Sequence, residues 1–81
     1  MAESANFLSK LTVIFREELE QDDLTITMQT KQSDIESWDS LAHVRIVMRL
    51  EREYNIQLDV SEIEGINSVR GFYDAVESHS G

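Results

Sequence analysis

Apolar residues recur at helical spacing in three separate stretches of this chain, and a polar connection at residues 21–39 holds the first apart from the rest. Phe7, Leu8, Leu11, Ile14, Phe15 and Leu19 make one stripe, which predicts a helix over residues 4–20 with Ser4 as its N-cap. Ile46, Val47, Leu50 and Tyr54 make the core face of a second helix, starting at Ser40 and stopped by Asn55. Val69, Phe72, Tyr73 and Val76 make a third, capped by Asn67 or Ser68, with Gly71 inside it at a cost of about 1 kcal/mol relative to alanine. Between these last two the sequence predicts a short helix over Ser61 to Glu64, capped by Ser61 and closed at Gly65. Leu24, Ile26 and Met28 alternate as a strand would, but no second strand is available to pair with them. Residues 21–39 are therefore expected as an extended loop tacked onto the helices by its apolar side chains. The predicted architecture is all-α: a four-helix bundle of three main helices and one short one, with a long first loop. It forms a single domain over residues 1–81, with residues 78–81 fraying.

A chain of 81 residues supports one thin core and leaves little room for a deep enzyme pocket. Its net charge of −9 argues against nucleic acid, which needs clustered Lys and Arg, and favours basic protein partners. With no cysteine there is neither a disulfide framework nor a thiolate metal site, and no metal is expected in this chain. The longest apolar run falls far short of a membrane span. Residues 1–20 are acidic and amphipathic, without the apolar core of a signal peptide, so the expected compartment is the cytoplasm. The start at Met1 is read as favouring a free-standing protein, and a monomer is expected.

The chemistry concentrates at Ser40, in Trp38-Asp39-Ser40-Leu41, where the long loop turns into the second helix. A hydroxyl at a helix start is exposed, and the unpaired N–H groups there can receive an anion. Val44 and Met48, four and eight residues on, share its face, and Leu41 flanks them. The opposite side already supplies the core stripe, so Leu41, Val44 and Met48 are left for another molecule. Methionine suits a surface that must accept several partners.

These residues resemble the acyl carrier proteins: Asp39-Ser40-Leu41 opening the second helix, then Val44, Ile46-Val47-Met48, Leu50, Glu51 and Glu53, continuing without a gap to Leu58, Ile66 and Val69. The resemblance implies that Ser40 accepts 4′-phosphopantetheine from coenzyme A through a phosphodiester, and that the arm's thiol carries acyl groups as thioesters. It also implies that Asp39, besides capping the helix, helps a phosphopantetheinyl transferase position its own metal ion. The partners implied are that transferase and the enzymes that load and process the acyl group. A Ser40 that merely caps the helix of an adaptor, docking through Leu41, Val44 and Met48, is the reading from another class. A hydrolytic Ser40/His43 pair with Asp39 is not expected, because the spacing provides neither an oxyanion hole nor a group to orient the imidazole; His43 is expected on the core edge of the helix.

Two features depart from the family's usual pattern. Charge divides as −6 over residues 1–39, +1 over 40–58 and −4 over 59–81, so the second helix is slightly positive, with Arg45, Arg49 and Arg52 along one side. Either these pair with Glu53 and neighbouring acids, or partners present acidic groups to them. A specialised or polyketide-type pathway is therefore expected over general fatty acid synthesis; a carrier of D-alanyl-type aminoacyl or peptidyl groups is the alternative. Trp38, Tyr54, Phe72 and Tyr73 add bulky rings to a small bundle and are expected to leave little room for a long acyl chain.

Overall fold

The computed structural model describes residues 2–80, with side chains described from Ala5 to His79. Among the described residues four helices follow in order: α1 (Ala2–Glu18), α2 (Ser40–Tyr54), α3 (Val60–Gly65) and α4 (Val69–Ser80). They enclose a single apolar cluster. Phe7, Leu11, Ile14, Phe15 and Leu19 come from α1 and its exit, Ala42, Ile46, Val47 and Leu50 from α2, and Val69, Phe72 and Val76 from α4. The loops add Ile26, Trp38, Leu58 and Ile66. α3 contributes no fully buried residue and lies at the edge of the bundle, with Ile63 half-buried. The radius of gyration, 11.5 Å, is close to the ~12 Å of a packed domain this long.

Helix ends follow from local chemistry. α1 closes through Glu20, whose φ of 56° is left-handed, with the Gln21 N–H donating to the Arg16 carbonyl. α2 closes the same way at Asn55, φ 55°, and asparagine is one of the few residues that tolerates this region. The Ile56 N–H then donates to the Glu51 carbonyl, while the Glu51 side chain accepts the Leu58 N–H at 2.8 Å. Ser68 caps α4, its hydroxyl accepting the Gly71 N–H at 3.0 Å. Gly71 is explained by space: a Cβ there would lie 3.2 Å from Ile66 Cγ2 and 3.4 Å from Ser68 Oγ.

Some boundaries differ from the sequence-based expectation. α1 begins at Ala2, so Ser4 lies inside the helix and is not its cap. The cap of α3 is Asp59, not Ser61. Asp59 Oδ1 accepts the Glu62 N–H at 2.8 Å while Glu62 returns a bond to the Asp59 N–H, a reciprocal pair that satisfies two donors and moves the helix start to Val60. Ser61 only donates its hydroxyl to Asp59. α4 spans Val69–Ser80, and Gly81 lies outside the described residues.

The long loop is extended, with one 3-10 turn at Gln32–Asp34, and is fastened at several points. Arg16 Nε donates to the Leu24 carbonyl at 2.6 Å, and Gln21 Nε2 to Ser37 Oγ at 2.6 Å. Lys31 and Ser68 form an isolated antiparallel bridge, through Gln32 N–H to the Asn67 carbonyl and Val69 N–H to the Thr30 carbonyl. Among the described residues, no helix is long and apolar enough to cross a membrane.

Candidate functional site

Ser40 is the first residue of α2 and is exposed. Asp39 ahead of it has extended backbone, and its carboxylate accepts the Ala42 N–H at 2.9 Å, while its carbonyl accepts the His43 N–H at 2.8 Å. The cap thus takes the third N–H of the helix and leaves those of Ser40 and Leu41, which have no partner in the helical ladder, beside the Ser40 hydroxyl. Trp38 anchors the approach from below: it is buried, and its carbonyl accepts from Gln32 Nε2 at 3.0 Å.

The flanking face is apolar and open. Leu41 is 68% exposed, Val44 45% and Met48 53%. On the other side, Ile46, Val47 and Leu50 are buried, as the spacing predicts. Beside Ser40, between α2 and α3, lies a cleft of about 330 Å³ lined by Gln32, His43, Val44, Ile63, Glu64 and Ile66. Sequence reasoning did not bring Gln32, Ile63, Glu64 or Ile66 to this place, because the loop and α3 reach it only through the tertiary fold.

His43 forms the floor of that cleft. An indole N–H can only donate, so Trp38 Nε1–H donates to His43 Nδ1, at 2.9 Å. The remaining ring proton is therefore on Nε2, which donates to the Ile63 carbonyl at 3.0 Å. The imidazole is stacked on the Trp38 ring (centroids 6.0 Å) and tilted against the Phe72 ring (5.3 Å). Both nitrogens face away from chemistry, and neither is left to take a proton from Ser40. Of the other rings expected to crowd the core, Tyr54 and Tyr73 pack on Phe7, and both are only half-buried.

The arginines turn toward α1. Arg49 meets Glu17 at 2.8 Å and Glu18 at 2.9 Å, and Arg45 Nε lies 3.3 Å from Glu18. Hydrogen bonds to Glu17 and Glu18 hold the Arg49 guanidinium above its usual range. Glu53 is taken by Lys10 at 3.0 Å and is not the partner of these arginines. Arg52 is exposed and forms no ion pair among the described residues. Nor do the described residues contain a group of three or more His, Asp or Glu placed to hold a metal ion.

Among the described residues, an exposed hydroxyl, two N–H groups outside the helical ladder and an adjoining cleft suit a phosphodiester-linked arm. Known proteins are similar to the chain in sequence and in fold. Residues 9–76 match the family described as "Phosphopantetheine attachment site". The chain is 31% identical to an acyl carrier protein of Thermotoga maritima over 81 residues, covering the whole of both. Its fold is similar to the solution NMR structure of a holo acyl carrier protein from Geobacter metallireducens, with a TM-score of 0.78 and 33% identity, over 89% of this chain and 83% of that one.

Proposed function

This chain belongs to the acyl carrier protein family, and on that premise we propose that the Ser40 hydroxyl is where its arm is attached. It is a carrier and not a catalyst, and 4′-phosphopantetheine is its prosthetic group. That group supplies a terminal thiol on which an acyl group travels as a thioester. The observation that carries the assignment to Ser40 is its exposed position as the first residue of α2. The N–H groups of Ser40 and Leu41, with the helix dipole behind them, favour the phosphodiester by about 0.3–1 kcal/mol. Asp39 fixes the turn that presents the hydroxyl and offers its carboxylate to the phosphopantetheinyl transferase. Leu41, Val44 and Met48 are the face on which the transferase and the acyl-loading and acyl-processing enzymes dock. Arg52 extends that face, whereas Arg45 and Arg49 reach a partner only by leaving Glu17 and Glu18.

The pathway we propose is a specialised one, of polyketide or modified fatty acid type. The support is the first turn of α2, which holds no acidic residue, and the arginines that follow it. The protein works as a cytoplasmic monomer, since a carrier must leave each enzyme to reach the next through small, brief contacts. The test is to incubate wild type and Ser40→Ala with coenzyme A and a permissive phosphopantetheinyl transferase, then compare intact masses. Wild type is expected to gain one arm and the variant none. An unchanged wild-type mass would instead indicate an adaptor whose Ser40 only begins a helix.

A further inference from the structure

We propose that His43 is a specificity-determining plug: it bars the bundle interior to hydrocarbon chains, so that cargo on the Ser40 arm stays in the open cleft and is restricted to short or polar acyl groups. The inference rests on Ser40 being the attachment point. Its own basis is the arrangement beneath that residue. His43 is 7% exposed and lies between the cleft and the core, where Trp38 and Phe72 are 2% and 0% exposed. Its ring joins three parts of the chain: the end of the long loop through Trp38 Nε1–H, α2 through its own backbone, and α3 through the Ile63 carbonyl.

A chain entering between α2 and α3 has to part His43 from Ile63, leaving the Nε2–H and the carbonyl against hydrocarbon. A chain entering under α2 has to swing the imidazole out, stranding the indole N–H in the core. Both routes strand polar groups that water no longer reaches, and such groups are costly to leave unpaired. Beyond the imidazole the space is already filled, with the Trp38 and Phe72 rings stacked at 5.8 Å and Phe15 edge-on to Trp38 at 4.8 Å. What remains open is the cleft of about 330 Å³, at the small end of the range for ligand sites. Its rim is part apolar, from Val44, Ile63 and Ile66, and part polar, from Gln32 and Glu64. That lining suits a short acyl group carrying an oxygen or nitrogen better than a plain alkyl tail.

The test loads the full chain with the arms of acetyl-, hexanoyl- and dodecanoyl-coenzyme A, using a permissive transferase. Intact mass verifies each product, and unchanged mass would overturn the attachment premise and this inference with it. On the loaded species two quantities are read: the NMR resonance of the Trp38 indole N–H and the rate of thioester cleavage by hydroxylamine. The expected result is an indole resonance indifferent to chain length and cleavage rates within about twofold of one another, as for thioesters that all stay outside the core and open to water. A dodecanoyl arm that shifts the indole resonance and slows cleavage by about tenfold, the signature of a buried thioester, would overturn the plug alone. His43→Leu supplies the converse, since leucine removes both polar bridges and keeps an apolar side chain. If the variant folds by circular dichroism, protection that grows with chain length is expected; its absence in the folded variant would overturn the role of His43. If it does not fold, the wild-type comparison decides.

Discussion

Asp39 sets the direction in which Ser40 leaves the bundle, because its carboxylate holds the Ala42 N–H and thereby fixes the first turn of α2. Replacing it tests two roles separately. Asp39→Ala removes the cap and is expected to cost about 1 kcal/mol in chemical denaturation. Asp39→Asn keeps a capping oxygen, so its stability should stay near wild type while arm transfer slows, through loss of the charge offered to the transferase. Equal stability and equal transfer rates in Asp39→Asn would remove the recognition role. At this scale the sequence was informative for surface positions and poor for buried polar ones. Ser40, Leu41, Val44 and Met48 follow from spacing along one helix, since exposure of a helix face needs only the core stripe opposite. The helix spacing puts His43 on the core edge, where it lies, but its partners are five residues back and twenty residues ahead, and only the closed bundle brings Trp38 and Ile63 to it.

Packing on the apolar core holds the helices, and local caps set where they start and stop. Asn55 closes α2 in the left-handed region, where a Cβ without a local hydrogen-bonding group is disfavoured, so Asn55→Ala is expected to cost about 1 kcal/mol and Asn55→Gly little, as read from denaturation midpoints. α3 is six residues long and depends on its cap more than on its core contacts. The Glu62 N–H and the Ser61 hydroxyl hold the Asp59 carboxyl below its ordinary value of 3.8. His79 from α4, 2.7 Å away, and the Asp59 N–H hold Glu62 below its ordinary value of 4.5. Carboxyls lowered on folding stabilise the helix fully above those ordinary values, and the contribution is lost as pH falls through them to the lowered ones. Acid titration by NMR should therefore show α3 loosening below about pH 4, while the α1 and α2 core signals persist. Asp59→Asn should flatten that response, and an unchanged response in the variant would remove the cap as its cause. The start of α2 was legible because Asp39 caps a long periodic run. The start of α3 was not, because several residues before a short helix can all cap it, and the choice of Asp59 depends on the answering bond from Glu62.

Across the whole molecule, charge is arranged so that the slightly positive α2 neutralises the acidic end of α1. Arg49 and Arg45 join the two helices through Glu17 and Glu18. These pairs are partly exposed, so a double-mutant cycle between Arg49 and Glu18 is expected to give a coupling below about 1 kcal/mol that shrinks with added salt. A coupling indifferent to salt would contradict pairing through solvent. The sequence showed the arginines on one side of α2, but helix spacing alone could not rank acids from another helix against Glu53 on the same one. The all-α class and the extended course of the long loop were readable because periodicity and the lack of a second strand are local facts. The loop's path over the bundle was not, since it depends on contacts such as the Lys31 bridge to Ser68, made between residues far apart in the chain. The handle at the end of that loop is what the fold serves. Its most direct test is fragmentation mass spectrometry of the wild-type protein after arm transfer, reading which peptide residue bears the added phosphodiester. The modification is expected on Ser40 alone; its appearance on any other serine or threonine, with Ser40 bare, would contradict the account.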